Sequence, residues 1–527
     1  MEKHRQTKKV NTSGTKVTTF PVPFALGEKK ENITISTNTL SKLSKEQIIN
    51  QAFKFHSQGN IPQATKYYQL FINQGGRDHR VFYNYGVILK NLGKLEDAEL
   101  LYRKAIEIKS DFAEAHSNLG GILKDLGKLQ DAELSTRKAI EIKPDFADTY
   151  SNLGVILKDL GKLEEAELST RRAIELKPDL ANNHSNLGLI LLEKGSHELS
   201  LKYFSNSAEL LRGENNQDPN TSIFKDISKA KIEHDIEQFE YLVSQDYETQ
   251  KFTKLAILYK KIATEINWPS ETQLITLNNK HQSLLKDSYN RLINVIEAPR
   301  LQKEAVNNSL NIEEITKNYF DHEFGLTYID NFLNPTALKS LRKFLLGSTI
   351  WFDVKSGGYL GAYLKEGLAS PLIIQIAEEL RKKFPKIFKN HPIKGIWAYK
   401  YDSRAKNENS LLRGIKVHAD QAAINVNFWI TPKEANLNPK SGGLIVYDVE
   451  APHDWDFKIY NNPNDKTKIR EELKKSKGNT QVIPHNQNRA VIFNSNLFHE
   501  TDSYEFKDGY ENRRINVTLL FGRREDS

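Results

Sequence analysis

Asn118-Leu119-Gly120-Gly121-Ile122-Leu123-Lys124-Asp125-Leu126-Gly127-Lys128-Leu129-Gln130-Asp131-Ala132 returns 34 positions later as Asn152-Leu153-Gly154-Val155-Ile156-Leu157-Lys158-Asp159-Leu160-Gly161-Lys162-Leu163-Glu164-Glu165-Ala166. The same 34-residue step links Gly86, Gly120, Gly154 and Gly188, the turn glycines Gly93, Gly127, Gly161 and Gly195, and Ala98, Ala132 and Ala166. One step back lands on Asn50, Ala52, Gly59 and Ala64, so a more diverged copy opens the array. Pro144 and Pro178 close two units, and the last one, ending near Leu211, has Ser200 and Ser207 where its neighbours have Ala. A fixed period of this length describes one supersecondary unit stacked on copies of itself. Each copy reads as two amphipathic helices with small residues at their crossing and a glycine in the turn. One pair cannot bury its own apolar face, so about five copies stack into a solenoid over residues 45–214.

The pattern resembles the tetratricopeptide repeat family. Asn50, Asn84, Asn118, Asn152 and Asn186 each stand two residues before the small position of the first helix, which lines the concave face in that family. Stacked amides can hydrogen-bond an extended peptide backbone without reading its side chains. A similar asparagine ladder occurs in the repeats of O-linked N-acetylglucosamine transferases. The resemblance therefore implies a bound protein or peptide as partner; the other reading is a repeat asparagine copied by duplication.

Outward from the repeats, 527 residues are too many for one compact core. Hydrophobic residues at 38% and charged ones at 27% fit a folded chain. Cysteine is absent, which excludes disulfides, thiolate zinc sites, thiol nucleophiles and iron–sulfur clusters, so a metal here needs His and carboxylates. The net charge of +8 invites a nucleic-acid reading, but residues 1–45 hold nine Lys and Arg against three Glu and so carry most of it. The expectation is a solvated basic tail over 1–44 and no nucleic-acid partner. Met1-Glu2-Lys3-His4-Arg5 lacks the apolar core of a secretory signal, and no run approaches the ~20 apolar residues of a membrane span. Both point to a cytoplasmic protein with no membrane span; the oligomeric state stays open. Residues 215–318 lose the repeat register and read as a helical spacer, with helices over Ile223–Val243 and Phe252–Ile266. No candidate site lies in it.

From 319 to 527 the texture is that of short strands. Leu326–Phe332, Gly395–Tyr401, Ala423–Thr431, Gly443–Val449, Arg489–Asn494 and Arg514–Gly522 read as β, with helices from Pro335 and over Pro371–Lys383. His418-Ala419-Asp420 is the one His-x-Asp of the chain, and alternation along a strand puts both side chains on one face. His499 follows the apolar run Arg489–Asn494 and its polar turn. Two imidazoles and a carboxylate on one face of an octahedron suit non-haem Fe(II) working with O2. His453 and His485 are weaker ligand candidates, and Glu500 is expected to point away.

The order His-x-Asp, Gly442-Gly443-Leu444, distal His499, then Arg513 and Arg514 ahead of an alternating strand is similar to the Fe(II)/2-oxoglutarate-dependent oxygenases. Asp330-Asn331-Phe332-Leu333-Asn334-Pro335 resembles the entry of their prolyl-hydroxylase-like members. The resemblance implies a double-stranded β-helix (jelly roll), with an insertion at about 450–480 that contains a charged helix near Asp465–Lys475. It implies His418, Asp420 and His499 as catalytic iron ligands and 2-oxoglutarate as co-substrate. That co-substrate would be anchored by Arg514, or by Arg513, with Asn516, Thr518 and Tyr401 around it. If Arg514 faces inward, so do Asn516 and Thr518; if Arg513 does, its neighbours are Ile515, Val517 and Leu519. Two departures stand out: Asn516 replaces a usual serine, and Tyr399 shares the face of Tyr401. The implied reaction is hydroxylation, of a protein or peptide if the solenoid captures the substrate. A repeat scaffold with a catalytically silent β domain and a small-molecule hydroxylase remain open alternatives.

Overall fold

The computed structural model describes residues 43–214, 222–389, 391–402, 414–455, 457–462, 466–476 and 479–526. The basic tail expected over 1–44 lies almost wholly outside the described residues, as do residues 215–221 at the start of the expected spacer. Contacts divide the chain into two compact units, Met1–Pro178 and Asp179–Ser527. Among the described residues no helix is long and apolar enough to cross a membrane.

Among the described residues the first unit contains four helix pairs: α1 (Lys45–Ser57) with α2 (Ile61–Asn73), α3 (His79–Asn91) with α4 (Leu95–Ile108), α5 (Ala113–Asp125) with α6 (Leu129–Ile142), and α7 (Ala147–Asp159) with α8 (Leu163–Leu176). Two glycines per repeat explain the period. Gly127 sits at φ +74°, a left-handed turn that ends one helix and starts the next within three residues. Gly154 is needed for space instead, since a Cβ there would lie 2.1 Å from Thr170 Oγ1. Ala98, Ala132 and Ala166 are fully buried at the matching crossings.

The second unit opens with one more pair, α9 (Ala181–Glu193) and α10 (His197–Arg212). Ser200, in place of the repeat alanine, donates its hydroxyl to the Gly188 carbonyl at 2.7 Å, so the polar atom is satisfied in a fully buried position. Leu192 and Phe204 of this pair share one apolar core with Phe344, Leu345 and Ile374. The helix expected over Ile223–Val243 is interrupted. Between α11 (Ser222–Lys225) and α12 (Lys229–Ser244), Asp226–Ile227 forms a strand, β1, paired with β2 (Ile275–Thr276). Ser228 then caps α12, its hydroxyl accepting from Lys231 N–H. Helix α13 (Thr249–Glu265) packs on α12 through Phe239, Phe252 and Tyr259, and α14 (Asn279–Leu285) and α15 (Ile312–Asp321) lead into the β region.

That region contains β3 (Leu326–Ile329), α16 (Pro335–Gly347), β4 (Asp353–Lys355), β5 (Tyr359–Tyr363), α17 (Pro371–Lys383), α18 (Pro385–Phe388), β6 (Ile393–Tyr401), β7 (Ile424–Trp429) and β8 (Leu444–Glu450). After α19 (Phe457–Tyr460) and α20 (Thr467–Ser476) come β9 (Thr480–Ile483), β10 (Ala490–Asn494), β11 (Leu497–Thr501) and β12 (Ile515–Phe521). A seven-stranded sheet runs β3-β10-β7-β12-β6-β5-β4, and a three-stranded one runs β11-β8-β9. Among the described residues every pairing in these two sheets is antiparallel. The two sheets face each other across one core, to which Trp429, Val491 and Phe493 contribute from the larger and Leu444, Val446, Ile483 and Leu497 from the smaller. The outer face of the larger sheet is covered by α16 and α17 through Leu341, Phe344, Ile373 and Ile376. Strand β12 divides its side chains accordingly: Ile515, Val517, Leu519 and Phe521 join the helix-side core, while Asn516 and Thr518 point between the sheets.

Candidate metal centre

His418, Asp420 and His499 converge so that one ligand atom from each lies within 4.8 Å of the others. Asp420 Oδ1 is 3.8 Å from His418 Nε2, and its Oδ2 is 3.5 Å from His499 Nε2. The convergence does not come from one regular strand, as His-x-Asp alternation suggested. His418 and Asp420 lie ahead of β7 in irregular chain, tied by a single antiparallel bridge from His418 to His499. His418 N–H donates to the His499 carbonyl at 3.0 Å, and His499 N–H returns a bond of 2.8 Å. A β-bulge between Leu497 and His499 irregularises β11 beside this bridge, a placement common next to functional sites.

Both imidazoles are oriented by the backbone. His418 Nδ1 faces the Lys416 carbonyl at 2.9 Å, and His499 Nδ1 faces the Leu497 carbonyl at 3.0 Å. A carbonyl only accepts, so each Nδ1 carries a proton, and a neutral ring held this way turns the lone pair of its Nε2 toward Asp420. Burial, then the neighbouring His499, push the His418 imidazole down to about 3, which keeps it neutral. Burial raises the Asp420 carboxyl, but the two histidines and Asn425 outweigh it and hold the group below the ordinary carboxylate range. Neutral imidazoles and an ionised carboxylate are the forms that bind a divalent cation.

The residues around the triad continue as a polar line on the inner face of the larger sheet. Asn425 Nδ2 donates to Asp420 Oδ2 at 2.6 Å, and Asn427 Nδ2 donates to Asn425 Oδ1 at 2.9 Å. Asn427 Oδ1 accepts from Asn516 Nδ2 at 3.1 Å and from Thr518 Oγ1 at 2.7 Å. Arg514 Nη1 lies 3.4 Å from Asn516 Oδ1, and its other nitrogens donate to the Gly442 and Gly443 carbonyls at 2.7 and 3.0 Å. Its guanidinium carbon stands 4.5 Å from the Tyr401 ring centroid. Tyr401 OH is 3.4 Å from Thr501 Oγ1, and its ring is nearly fully buried.

Arg513 takes the opposite direction, to Glu237 on α12. His485 does not join the triad; it packs against Trp429 and Phe506, with both ring nitrogens buried and unpartnered. Glu500 accepts from the Tyr447 hydroxyl, away from the triad. His453 is exposed. Helices α19 and α20 of the expected insertion pack on the His418 turn through Tyr460 and Ile469, and Asn461 donates to the Ala419 carbonyl at 2.9 Å.

Asn425 and Asn427 escaped the sequence reading. Their signal is the alternation Ile424-Asn425-Val426-Asn427-Phe428, two amides at period two inside a strand that is otherwise core. In the repeats, Asn84, Asn118 and Asn186 are buried, Asn152 is half-buried at the matching helix position, and Asn50 is exposed. Asn118 Nδ2 donates to the Tyr83 hydroxyl at 3.0 Å, so this rung already holds a partner.

Tetratricopeptide repeat models match residues 86–127, 113–146 and 147–180. The N-terminal region therefore carries tetratricopeptide repeats, units that serve protein–protein interaction. No curated protein matches the chain. Among solved structures, the chain is similar to MamA residues 41 to the end from Desulfovibrio magneticus RS-1, at 22% identity over 33% of this chain and 97% of that one, with a TM-score of 0.31. It is also similar to YrrB, described as a TPR protein with an unusual peptide-binding site, at 19% identity over 33% of this chain and 91% of that one, with a TM-score of 0.30.

Proposed function

We propose that the second unit is an Fe(II)- and 2-oxoglutarate-dependent dioxygenase of the double-stranded β-helix type, hydroxylating a protein or peptide held by the repeats. The observation that carries this reading is the triad itself: two imidazoles and one carboxylate, each held toward a common point by a backbone or amide partner. Two antiparallel sheets facing across a shared core support the fold assignment. The residues fit an iron of this kind, since the three donors occupy one side and no fourth protein ligand joins them among the described residues. When bound, iron with 2-oxoglutarate and O2 supplies C–H hydroxylation coupled to decarboxylation of the keto acid to succinate.

What the chain's own groups do follows from their positions. His418, Asp420 and His499 hold the metal. Asn425 fixes the Asp420 carboxylate so that its oxygens stay directed at the metal position. Arg514 offers a planar guanidinium between the sheets, able to take the distal carboxylate of a dicarboxylate through Nη1 and Nη2. Asn427, Asn516 and Thr518 line the way with hydrogen-bonded polar groups, whose dipoles help offset the desolvation of that charge. The aromatic and aliphatic core about Trp429 and Phe493 limits water.

The test is succinate formation from 2-oxoglutarate by the full chain with Fe(II) and O2. Turnover that disappears in His499→Ala and is stimulated by a peptide or protein substrate is the expected result. An unmodified protein that binds neither Fe(II) nor 2-oxoglutarate would leave only the repeat scaffold.

A further inference from the structure

Helix α12 reads in sequence as spacer, yet its buried face is charged. Lys231, His234 and Asp235 are all at most 5% exposed, and Lys231 Nζ donates to Asp235 at 2.6 Å. Gln238 Nε2 donates to the Leu346 and Ser348 carbonyls at 3.0 and 2.8 Å. Beside them on β6, fully buried Lys400 donates to Tyr510 OH at 2.6 Å. Burying a set of charges costs far more than apolar packing, so a plain connector has no reason to dock this way.

The most telling pair is the one that reaches β12. Arg513 Nε donates to Glu237 Oε2 at 2.8 Å, and its Nη2 lies 3.1 Å from Asp402 Oδ2. Arg513 is 2% exposed, and so is Arg514, the next residue. Adjacent residues at the head of a strand point to opposite faces, so anchoring one side chain fixes the direction of the other. Arg513 has two carboxylates on the helix side, whereas among the described residues Arg514 has none within ion-pair distance and leans on backbone carbonyls. The cation facing α12 has two carboxylate partners; the cation facing the space between the sheets is, among the described residues, paired with none.

We propose that Glu237 of α12, together with Asp402, is a positioning residue for the carboxylate-binding end of the site: by clamping Arg513 it holds the Arg514 guanidinium between the sheets. The inference rests on the reading of Arg514 given above. It makes α12 part of the site's construction, and it predicts that a change on this helix alters affinity for the dicarboxylate while leaving the metal triad intact. The hydrogen-bonded line from Arg514 to Asp420 runs through Asn516, Asn427 and Asn425, so metal affinity is the control that general unfolding would also move.

The experiment titrates 2-oxoglutarate into the full chain loaded with Mn(II), by calorimetry, so that no turnover is involved. Glu237→Gln is expected to raise the 2-oxoglutarate Kd about tenfold, while Mn(II) affinity stays within about twofold. Asp402→Asn, carrying the second carboxylate of the clamp, should act in the same direction. In an Arg513→Gln background, Glu237→Gln should add less than about twofold, because both changes break one interaction. Unchanged 2-oxoglutarate affinity in both Glu237→Gln and Asp402→Asn, with Arg514→Ala weakening it, overturns the clamp and leaves the reading of Arg514 standing. Equal loss of Mn(II) and 2-oxoglutarate binding also overturns it, since the role would then be general stability. If Arg514→Ala binds 2-oxoglutarate as the unmodified chain does, the reading of Arg514 fails, and the clamp fails with it.

Discussion

His418 and His499 present Nε2 because their other nitrogens are committed to the carbonyls of Lys416 and Leu497, each two residues back along the chain. Asp420 has no such local device and depends on Asn425. Removing a ligand and removing its support should therefore differ in degree. His499→Ala is expected to lower Mn(II) or Fe(II) affinity by at least about a hundredfold, and Asn425→Leu by about tenfold, read by calorimetry. Equal affinities in Asn425→Leu and the unmodified chain would make the amide a mere filler. His485 gives a prediction of another kind. Burial first, then Arg514 and Arg489, push it down to about 3, and neither ring nitrogen has a partner to lose. Unfolded, it titrates near ~6.5, so below that pH the unfolded chain takes up a proton that the folded chain refuses until about 3. The folded state therefore loses stability as pH falls through that window, by about 2 kcal/mol at pH ~5. His485→Phe should flatten this dependence in chemical denaturation run between neutral and mildly acidic pH. An unchanged slope would place the acid sensitivity elsewhere.

At the scale of elements, the sequence is most legible where a pattern answers one physical demand. The 34-residue glycines satisfy a left-handed turn and a helix crossing, and both are visible as periodicity. Strands β6, β7, β8, β10 and β12 fall where short apolar runs between turn residues put them, within one or two residues. The triad's residues were legible from type and order, but the geometry that unites them was not: a bridge between two irregular segments leaves no period to read. The buried face of helix α12 was equally hidden, because Lys231, Asp235 and Glu237 look like a solvated face until Lys231 and Asp235 pair across one turn and Arg513 reaches Glu237 from 276 residues away. The Asn ladder stands between these cases. Its spacing is plain, but the Asn118 amide is already occupied by Tyr83. That rung has one N–H fewer to offer a peptide, and each rung contributes on the order of 0.5–1.5 kcal/mol net. Changing Asn84, Asn118 and Asn152 together to Ala should weaken capture of a protein substrate by about tenfold or more, with 2-oxoglutarate affinity unaltered. Undiminished capture by the triple variant, measured by surface immobilisation of the full chain, would return these residues to repeat structure.

At the scale of the whole molecule, repeat identity and structural unit do not coincide. The glycines at 154 and 188 are one period apart and occupy matching helix crossings, facing Thr170 and Phe204 respectively. Yet Thr170 belongs to the first compact unit, whereas Phe204 belongs to the core that also contains Phe344 and Ile374. Chains with separate cores need not unfold in one step, so calorimetry should resolve two transitions rather than one. A valine at either glycine inserts atoms where no room exists: the first added carbon alone would stand 2.1 Å from Thr170 Oγ1 in one case and 2.8 Å from Phe204 Cε1 in the other. Overpacking of this kind costs about 1–3 kcal/mol. Gly154→Val should lower the transition that does not respond to ligand. Gly188→Val should lower the other, the one that Mn(II) at ~100 times its Kd raises by about 2.7 kcal/mol through preferential binding to the folded form. Were the five helix pairs to melt as one array, both variants would move the same ligand-insensitive transition. That outcome would assign α9 and α10 to the solenoid energetically, whatever core they share.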